Sequence, residues 1–277
     1  MEITTENVLL IGSFVLLISV FSSKAAVINR GVPVLFVFLV LGILFGSNGV
    51  VGIEFTDTKH IQFIGVLALI FILFSGGLDT NINDVKPIVG RGLVLSFFGV
   101  IITAVAVGTF IYYISEFSFI ESMLIASIFS STDAGAVFGV FRSRNLGVNK
   151  KLQSLLEFES GSNDPTAFLL TIVILDLIQK PVVEPLSIAI LFLQSLILGI
   201  IFGFGFGKLA VILMNKISLS IDGLYFVLAL SISILTYAVT DTVNGNGFLA
   251  VYIAALVMGN SDFVHKRSTF RFYDGVS

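Results

Sequence analysis

The chain has 277 residues, of which 56% are hydrophobic and 12% charged, with a mean hydropathy of +1.05, a formal net charge of −3 and no cysteine. Soluble domains carry about 25% charged residues, so a soluble globular protein is excluded, and the long, nearly continuous apolar runs exclude a membrane β-barrel, whose spans alternate apolar and polar positions. Without cysteine there is neither a disulfide nor a thiolate metal site, and so small a net charge points to no nucleic-acid partner.

Nine segments are apolar enough to cross a bilayer, at about 7–23, 33–51, 61–78, 87–115, 119–141, 152–178, 187–215, 224–240 and 246–259. The fold class is therefore an all-α polytopic membrane protein whose surroundings are lipid. The first segment starts at Val8 after acidic residues, Glu2 and Glu6, and no small-residue cleavage site follows it. It reads as a retained helix rather than a signal peptide.

Lysine and arginine gather in cytoplasmic loops, and here their placement is one-sided. Lys24, Arg30, Lys86, Arg91, Arg142, Arg144, Lys150, Lys151, Lys208, Lys216, Lys266, Arg267 and Arg271 lie after or at the end of odd-numbered spans, and only Lys59 and Lys180 follow even-numbered ones. Adding or dropping a span would scramble that alternation. The expectation is a multi-pass protein of the cell (inner) membrane, with its N-terminus outside and the tail after Asn260 cytoplasmic. Tyr112, Tyr113 and Tyr225 fall at span ends, where tyrosines anchor to the interface. Gly199, Gly203 and Gly207 recur every four residues in the seventh span, a stripe that lets another helix approach. Asn244-Gly245-Asn246-Gly247 reads as a turn with no chemistry. His60 and His265 lie outside the apolar runs and form no cluster.

Chemistry concentrates in the sixth span, in Glu157-Phe-Glu159-Ser160-Gly161-Ser162-Asn163-Asp164-Pro165. Asp164 falls about halfway through it, where a carboxylate costs about 2.5–3.5 kcal/mol on the mildest insertion scale. Such a residue is a functional candidate by default. Glu157, Ser160 and Asp164 share one helix face, and Glu159 and Asn163 form the neighbouring stripe. Pro165 has no amide hydrogen for the Gly161 carbonyl, which leaves that oxygen free one turn below Asp164. Hydroxyl, carboxylate and carbonyl oxygens are what a hard cation prefers.

The fifth span carries Ser130-Ser131-Thr132-Asp133-Ala134-Gly135-Ala136 near its midpoint. Small and hydroxylated residues around a glycine mark a broken span, whose unwound carbonyls coordinate ions where they line a cavity. Thr132 and Asp133 join Asp164 as candidate cation-binding residues. No lysine or arginine stands near Asp133, Glu157, Glu159 or Asp164 in sequence, so bound cations and protons, or a basic residue from outside this sequence, must compensate them. Asp79, Asp84 and Asp176 read as solvated ends. The residues alone support a secondary antiporter in which Asp164 alternately holds a proton and a small monovalent cation.

Ser131-Thr132-Asp133-Ala134, Glu159-Ser160-Gly161-Ser162-Asn163-Asp164-Pro165, and Gly247-Phe248-Leu249-Ala250-Val251-Tyr252 through Gly259-Asn260 resemble the NhaP-like monovalent cation:proton antiporters, including their potassium/proton branch. The resemblance covers nearly the whole chain. It implies about thirteen helices in two inverted six-helix repeats joined by a seventh, discontinuous helices, a dimerisation domain and an elevator-like core. On that plan residues 1–277 form a single exchanger domain, with 1–178 the first repeat, 187–215 the linking helix and 224–277 the start of an incomplete second repeat, as in an N-terminal fragment. The missing part would supply a second broken helix and an arginine paired with Glu159.

Position by position, the resemblance makes Asp164 the shared cation and proton carboxylate. Asn163 stands where electrogenic relatives have a second aspartate, which implies one-for-one, electroneutral exchange. Thr132 would offer its backbone carbonyl, Asp133 would coordinate directly or through water, Ser160 would offer its hydroxyl, and Glu159 would hold Asn163 through the arginine. Glu157 and Pro165 support the site. Some relatives have an acid where this chain has Ser75, in Phe74-Ser75-Gly76-Gly77, so the choice between Na+ and K+ stays open. The implied protein is a homodimeric transporter serving pH homeostasis, not an enzyme, with no cofactor beyond the transported ions. The competing readings are a cation channel using the same acids and an inactive truncated transporter. An intramembrane aspartyl protease built on Asp133 and Asp164 lacks its usual glycine-x-glycine-aspartate context.

Overall fold

The computed structural model describes residues 12–18, 20–21, 34–50, 52–53, 57–133, 137, 141, 147–179, 185–217 and 219–276, and among these there are helices and no strands. The helices are α1 (Val34–Phe45), α2 (Thr58–Asp79), the single turn α3 (Ile82–Val85), α4 (Val89–Ile114), α5 (Phe119–Ile128), α6 (Lys150–Gln179), α7 (Pro185–Lys216), α8 (Gly223–Thr242), α9 (Gly247–Gly259) and α10 (Lys266–Val276). Among the described residues, α2, α4, α6, α7 and α8 are long and apolar enough to cross a membrane. α1, α5 and α9 are shorter apolar helices on the second, fifth and ninth predicted spans. The first predicted span is helical at 12–18, and most of its remainder lies outside the described residues.

The chain divides into two units, 1–64 with 133–149, and 65–132 with 150–277. In the first, α1 ends in a turn in which Gly49 N donates to the Gly46 carbonyl at 2.9 Å, and Ile53 N reaches back to the Phe45 carbonyl at 3.0 Å. Asp57 then caps α2, its Oδ1 accepting from the backbone amide of Lys59 at 2.9 Å, with His60 Nδ1 2.7 Å from its Oδ2. The His60 ring, then the His60 and Lys59 amides, hold this exposed carboxyl below its ordinary value.

The second unit is built around α9. Phe248, Ala250, Val251, Tyr252, Ala254, Ala255 and Met258 are all buried, and Gly247 and Gly259 mark its ends. So many small residues let neighbours approach on several sides, which is how membrane helices associate where burial of apolar surface gives no advantage over lipid. A Cβ on Gly77 of α2 would lie 2.6 Å from the Tyr252 carbonyl oxygen, and one on Gly161 of α6 would lie 2.6 Å from the Tyr252 ring. The glycine stripe of α7 packs here as well, since Cβ atoms on Gly199, Gly203 and Gly207 would lie 2.9, 2.6 and 2.8 Å from the carbonyl oxygens of Asn246, Ala250 and Ala254. Phe74, Met214, Phe248, Val251, Met258 and Tyr273 form the centre of the resulting core.

The loops after alternate spans meet at one end of this unit. Lys150, opening α6, pairs with Asp84 at 3.1 Å. Asn260, closing α9, accepts from Ile82 N and donates to the Thr80 carbonyl, both at 2.8 Å. Asn215 in the last turn of α7 donates to the Asp262 carbonyl at 3.0 Å and accepts from Val264 N at 3.1 Å. The ends of the third, seventh and ninth predicted spans and the start of the sixth therefore share one side, as the alternation of basic loops requires.

Three local features depart from a plain row of spans. α4 contains a π-helical turn at Leu95–Gly99. In the fifth span α5 ends at Ile128, residues 131–133 have no helical structure, and Val137 and Phe141 are helical again. The tail after Asn260, expected only to be cytoplasmic, contains α10, whose buried Tyr273 lies against Phe74 at 4.6 Å between ring centroids and 3.4 Å from the Ser233 hydroxyl.

The contact between α7 and α9 makes a direct prediction. Gly203→Val should lower thermal stability in detergent by about 1–3 kcal/mol, the usual cost of overpacking. Gly205→Val, at a position with nothing within 4 Å of its Cβ, should change the melting midpoint little.

Candidate cation and proton site

α6 is a 30-residue helix with Pro165 inside it. At 1.5 Å per residue it is about 45 Å long, and Asp164 stands near its middle. The proline cannot donate to the Gly161 carbonyl, and its own carbonyl accepts from the Asn246 side chain at 3.3 Å. Asn246 also caps α9, accepting from Leu249 N at 3.0 Å. It thus ties the start of α9 to α6 one residue beyond Asp164, a role that a reading of residues 244–247 as a plain turn misses.

α5 begins with a Ser118/Glu121 capping box. It ends where hydroxyls compete with the helix for backbone carbonyls: Ser127 Oγ donates to Leu124 O at 2.8 Å, and Ser130 Oγ to Ser127 O at 2.6 Å. Ser131 and Thr132, which follow, lie against α6. The Thr132 carbonyl accepts from Ser160 Oγ at 3.0 Å and from Asn163 Nδ2 at 3.4 Å. Thr132 Oγ1 accepts from Asn163 Nδ2 at 2.6 Å and donates to Glu159 Oε2 at 3.2 Å. Asn163 Nδ2 also donates to Glu159 Oε1 at 3.0 Å, so these two side chains meet directly. Ser131 Oγ lies 3.0 Å from Asn163 Oδ1 and also donates to Asp164 Oδ1.

The structure therefore brings together Thr132, Glu159, Ser160, Asn163 and Asp164, with Ser131 added. Asn163 is 0% exposed, so its amide must find its partners within the protein, and it does. The sequence does not single out Ser131, because the motif offers adjacent hydroxyls, Ser130, Ser131 and Thr132, and only the geometry of the break shows which turn toward α6. Asp133 is exposed and belongs to the first unit. Ala134, Gly135 and Ala136, the rest of the predicted break, lie outside the described residues.

Glu157 is placed apart from this cluster. Its Oε1 accepts from Gln153 Nε2 at 2.9 Å, and it lines a cavity of about 140 Å³ with Asp79, Thr80, Asn81, Asp84, Lys150 and Gln153. Asp79 and Asp84, read from sequence as solvated ends, share that cavity. Tyr252 of α9 packs its ring on Gly161 and its hydroxyl lies 3.3 Å from Thr80 Oγ1. Thr80 spends its own hydrogen on the Gly76 carbonyl at 2.7 Å, so Tyr252 is the donor in that pair.

As an arrangement of oxygens, the break and the facing stripe of α6 place a backbone carbonyl, hydroxyls and carboxylates around a mid-helix aspartate, the donor set of a hard cation. Comparison with known proteins identifies the family. A family model described as "Sodium/hydrogen exchanger, transmembrane" matches residues 12–272. The K(+)/H(+) antiporter NhaP of Alkalimonas amylolytica is 35% identical over 279 residues, covering 100% of this chain and 48% of the relative. The K(+)/H(+) antiporter NhaP2 of Shewanella sp. (strain ANA-3) is 34% identical over 271 residues, 97% of this chain and 46% of the relative. The chain thus spans about half the length of these relatives. The solved structure of the sodium proton antiporter MjNhaP1 from Methanocaldococcus jannaschii at pH 8 superposes with a TM-score of 0.80 at 22% identity, covering 96% of this chain and 65% of that one, which shows a shared fold. With a family model matched from residue 12 to residue 272 and an antiporter fold behind it, this chain belongs to the family of transmembrane sodium/hydrogen exchangers.

Proposed function

We propose that the chain forms the ion-exchanging part of a secondary antiporter that moves a monovalent cation, Na+ or K+, against protons, with Asp164 as the carboxylate both ions share. One observation carries this reading: Asp164 stands at the middle of the 30-residue α6, against the non-helical residues that follow α5, where Ser131 donates to it. A carboxylate at that depth is costly when ionised and bare. A proton or a cation relieves the cost, and because both need the same oxygen atoms, binding of one displaces the other. A cation could take the Thr132 carbonyl and the Ser160 hydroxyl as further ligands. Asn163 and Glu159 hold Thr132 in place, and Pro165 opens the helix beside the site.

Asn163 is neutral in either state, so Asp164 alone exchanges its charge, and the expected stoichiometry is one for one and electroneutral. Alternating access would then carry a site of the same net charge in both directions. The relatives at 34–35% identity bear potassium/proton names, which favours K+. In this reading 1–178 is the first repeat, 187–215 the linking helix and 224–277 the start of the second repeat. The protein works as a homodimer in the cell membrane, with the end that holds Asp84, Lys150 and Asn260 facing the cytoplasm.

In proteoliposomes, Asp164→Asn should reduce cation-driven dequenching of a pH dye to the protein-free background. Exchange surviving that change would remove the shared-carboxylate mechanism. The rate of exchange by the unmodified protein should not respond to an imposed membrane potential; a rate that follows the potential would show that net charge moves. Because the chain has no cysteine, orientation can be read without background. A membrane-impermeant maleimide should label Lys59→Cys in intact cells and Lys86→Cys only after permeabilisation, and the reverse pattern would invert the topology.

A further inference from the structure

Building on the reading of Asp164 as the exchanged carboxylate, we propose that the Ser131 hydroxyl is a further residue of the cation site: a one-hydrogen switch that donates to empty Asp164 and becomes an oxygen ligand when a cation arrives. Ser131 Oγ has two acceptors within reach, Asp164 Oδ1 and Asn163 Oδ1, the latter at 3.0 Å. A serine has a single hydrogen to give and two lone pairs, so it can serve one of these acceptors at a time.

The orientation of Asn163 makes the choice binary. Its Nδ2 is committed to Thr132 Oγ1 at 2.6 Å and Glu159 Oε1 at 3.0 Å, which leaves the amide oxygen facing Ser131. Asn163 is 0% exposed, so bulk water does not replace the serine. With Asp164 ionised and empty, its charge claims the hydrogen, since charge-assisted bonds are roughly twice as strong as neutral ones. A cation on Asp164 cancels that pull and repels the hydroxyl hydrogen. The hydrogen turns to Asn163 Oδ1, and an oxygen lone pair faces the ion beside the carboxylate. Only the hydroxyl rotor moves, so the change needs no backbone displacement.

Besides Asp164 itself, titratable groups on α6 and α9 bear on this pair. Glu159 faces it through Asn163 and Thr132, and Tyr252 of α9 lies against Gly161, one turn before Asp164. Glu157 faces Gln153 and the cavity with Asp84 and Lys150. A neutral asparagine is needed at 163 for this switch: it accepts when the hydrogen is released and never competes with Asp164 as a charge.

The test measures exchange by the reconstituted protein, with potassium chloride and sodium chloride titrated in turn at fixed pH. Ser131→Ala removes an oxygen ligand from the loaded site and should raise the apparent KM for the cation about tenfold, because that loss outweighs the hydrogen bond lost from the empty carboxylate, while the maximal rate stays within about twofold. Ser131→Thr, which keeps the hydroxyl, should return KM to near the unmodified value. An unchanged KM in Ser131→Ala, or Ser131→Thr behaving as the alanine variant, would overturn the proposal. If Ser131→Ala is not recovered as a monodisperse protein, Ser131→Cys decides: a thiol is a weak donor and a poor ligand for these cations, so KM must rise, and an unchanged KM refutes the switch. Asp164→Asn in the same assay separates the two levels. Exchange persisting there undoes the underlying reading, whereas its loss together with an unchanged KM in Ser131→Ala undoes only the switch.

Discussion

The site depends on the hold that α6 keeps on the non-helical residues after α5. A backbone that leaves its helix within a membrane exposes polar groups that lipid cannot satisfy. Ser160 and Asn163 answer this by donating to the Thr132 carbonyl, and Asn163 and Glu159 engage the Thr132 hydroxyl. The same bonds set the direction of Asn163, and through it of Ser131, which touches Asp164. Residues that look like separate polar substitutions in an apolar helix are therefore one connected network in which most hydrogens have a named acceptor. That is the condition under which a buried polar cluster specifies a structure rather than weakening it.

The surroundings of this network are dense. α2, α7 and α6 carry glycine where α9 comes closest, at Gly77, at Gly199, Gly203 and Gly207, and at Gly161, whose notch Tyr252 fills. Asn246 continues the pattern by capping α9 and bonding the carbonyl of Pro165. A proline in a long helix would otherwise be a point of free bending; here its own carbonyl is anchored. A rigid frame around a small oxygen cluster suits the proposed exchange, in which a proton and an ion would be told apart by where a few lone pairs point.

Much of this was legible in the sequence. The apolar runs and the alternation of basic loops gave the segmentation, because hydropathy and charge asymmetry are properties of whole segments and survive errors of several residues at their ends. The meeting of Asp84 with Lys150, of Thr80 with Asn260 and of Asn215 with Asp262 at one end is the structural counterpart of that alternation. The break after Ile128 was legible for a different reason: a cluster of hydroxyls and a glycine makes a poor helix interior. What the sequence hid was partnership. Helical spacing put Glu157 on a face with Ser160 and Asp164, yet Glu157 turns to Gln153 and a cavity one turn away, since 3.6-residue periodicity does not say what stands opposite each stripe. Ser131 and Asn246 escaped notice for the same reason, as each acquires its role from a residue more than 30 positions away. The sequence places a cytoplasmic tail after Asn260 without marking a helix there, since a short amphipathic run of basic and aromatic residues shows its role only through Tyr273 inside the core.

The central claim is that cation and proton compete for one carboxylate in this network, and linkage makes that claim measurable without transport. Calorimetric titration of the purified protein with potassium or sodium chloride, in buffers of different ionisation enthalpy and across a range of pH, counts the protons released per cation bound. The account predicts a value that approaches one at pH values where the free site is protonated and falls toward zero as the site ionises. Cation binding that releases no proton at any pH would contradict it.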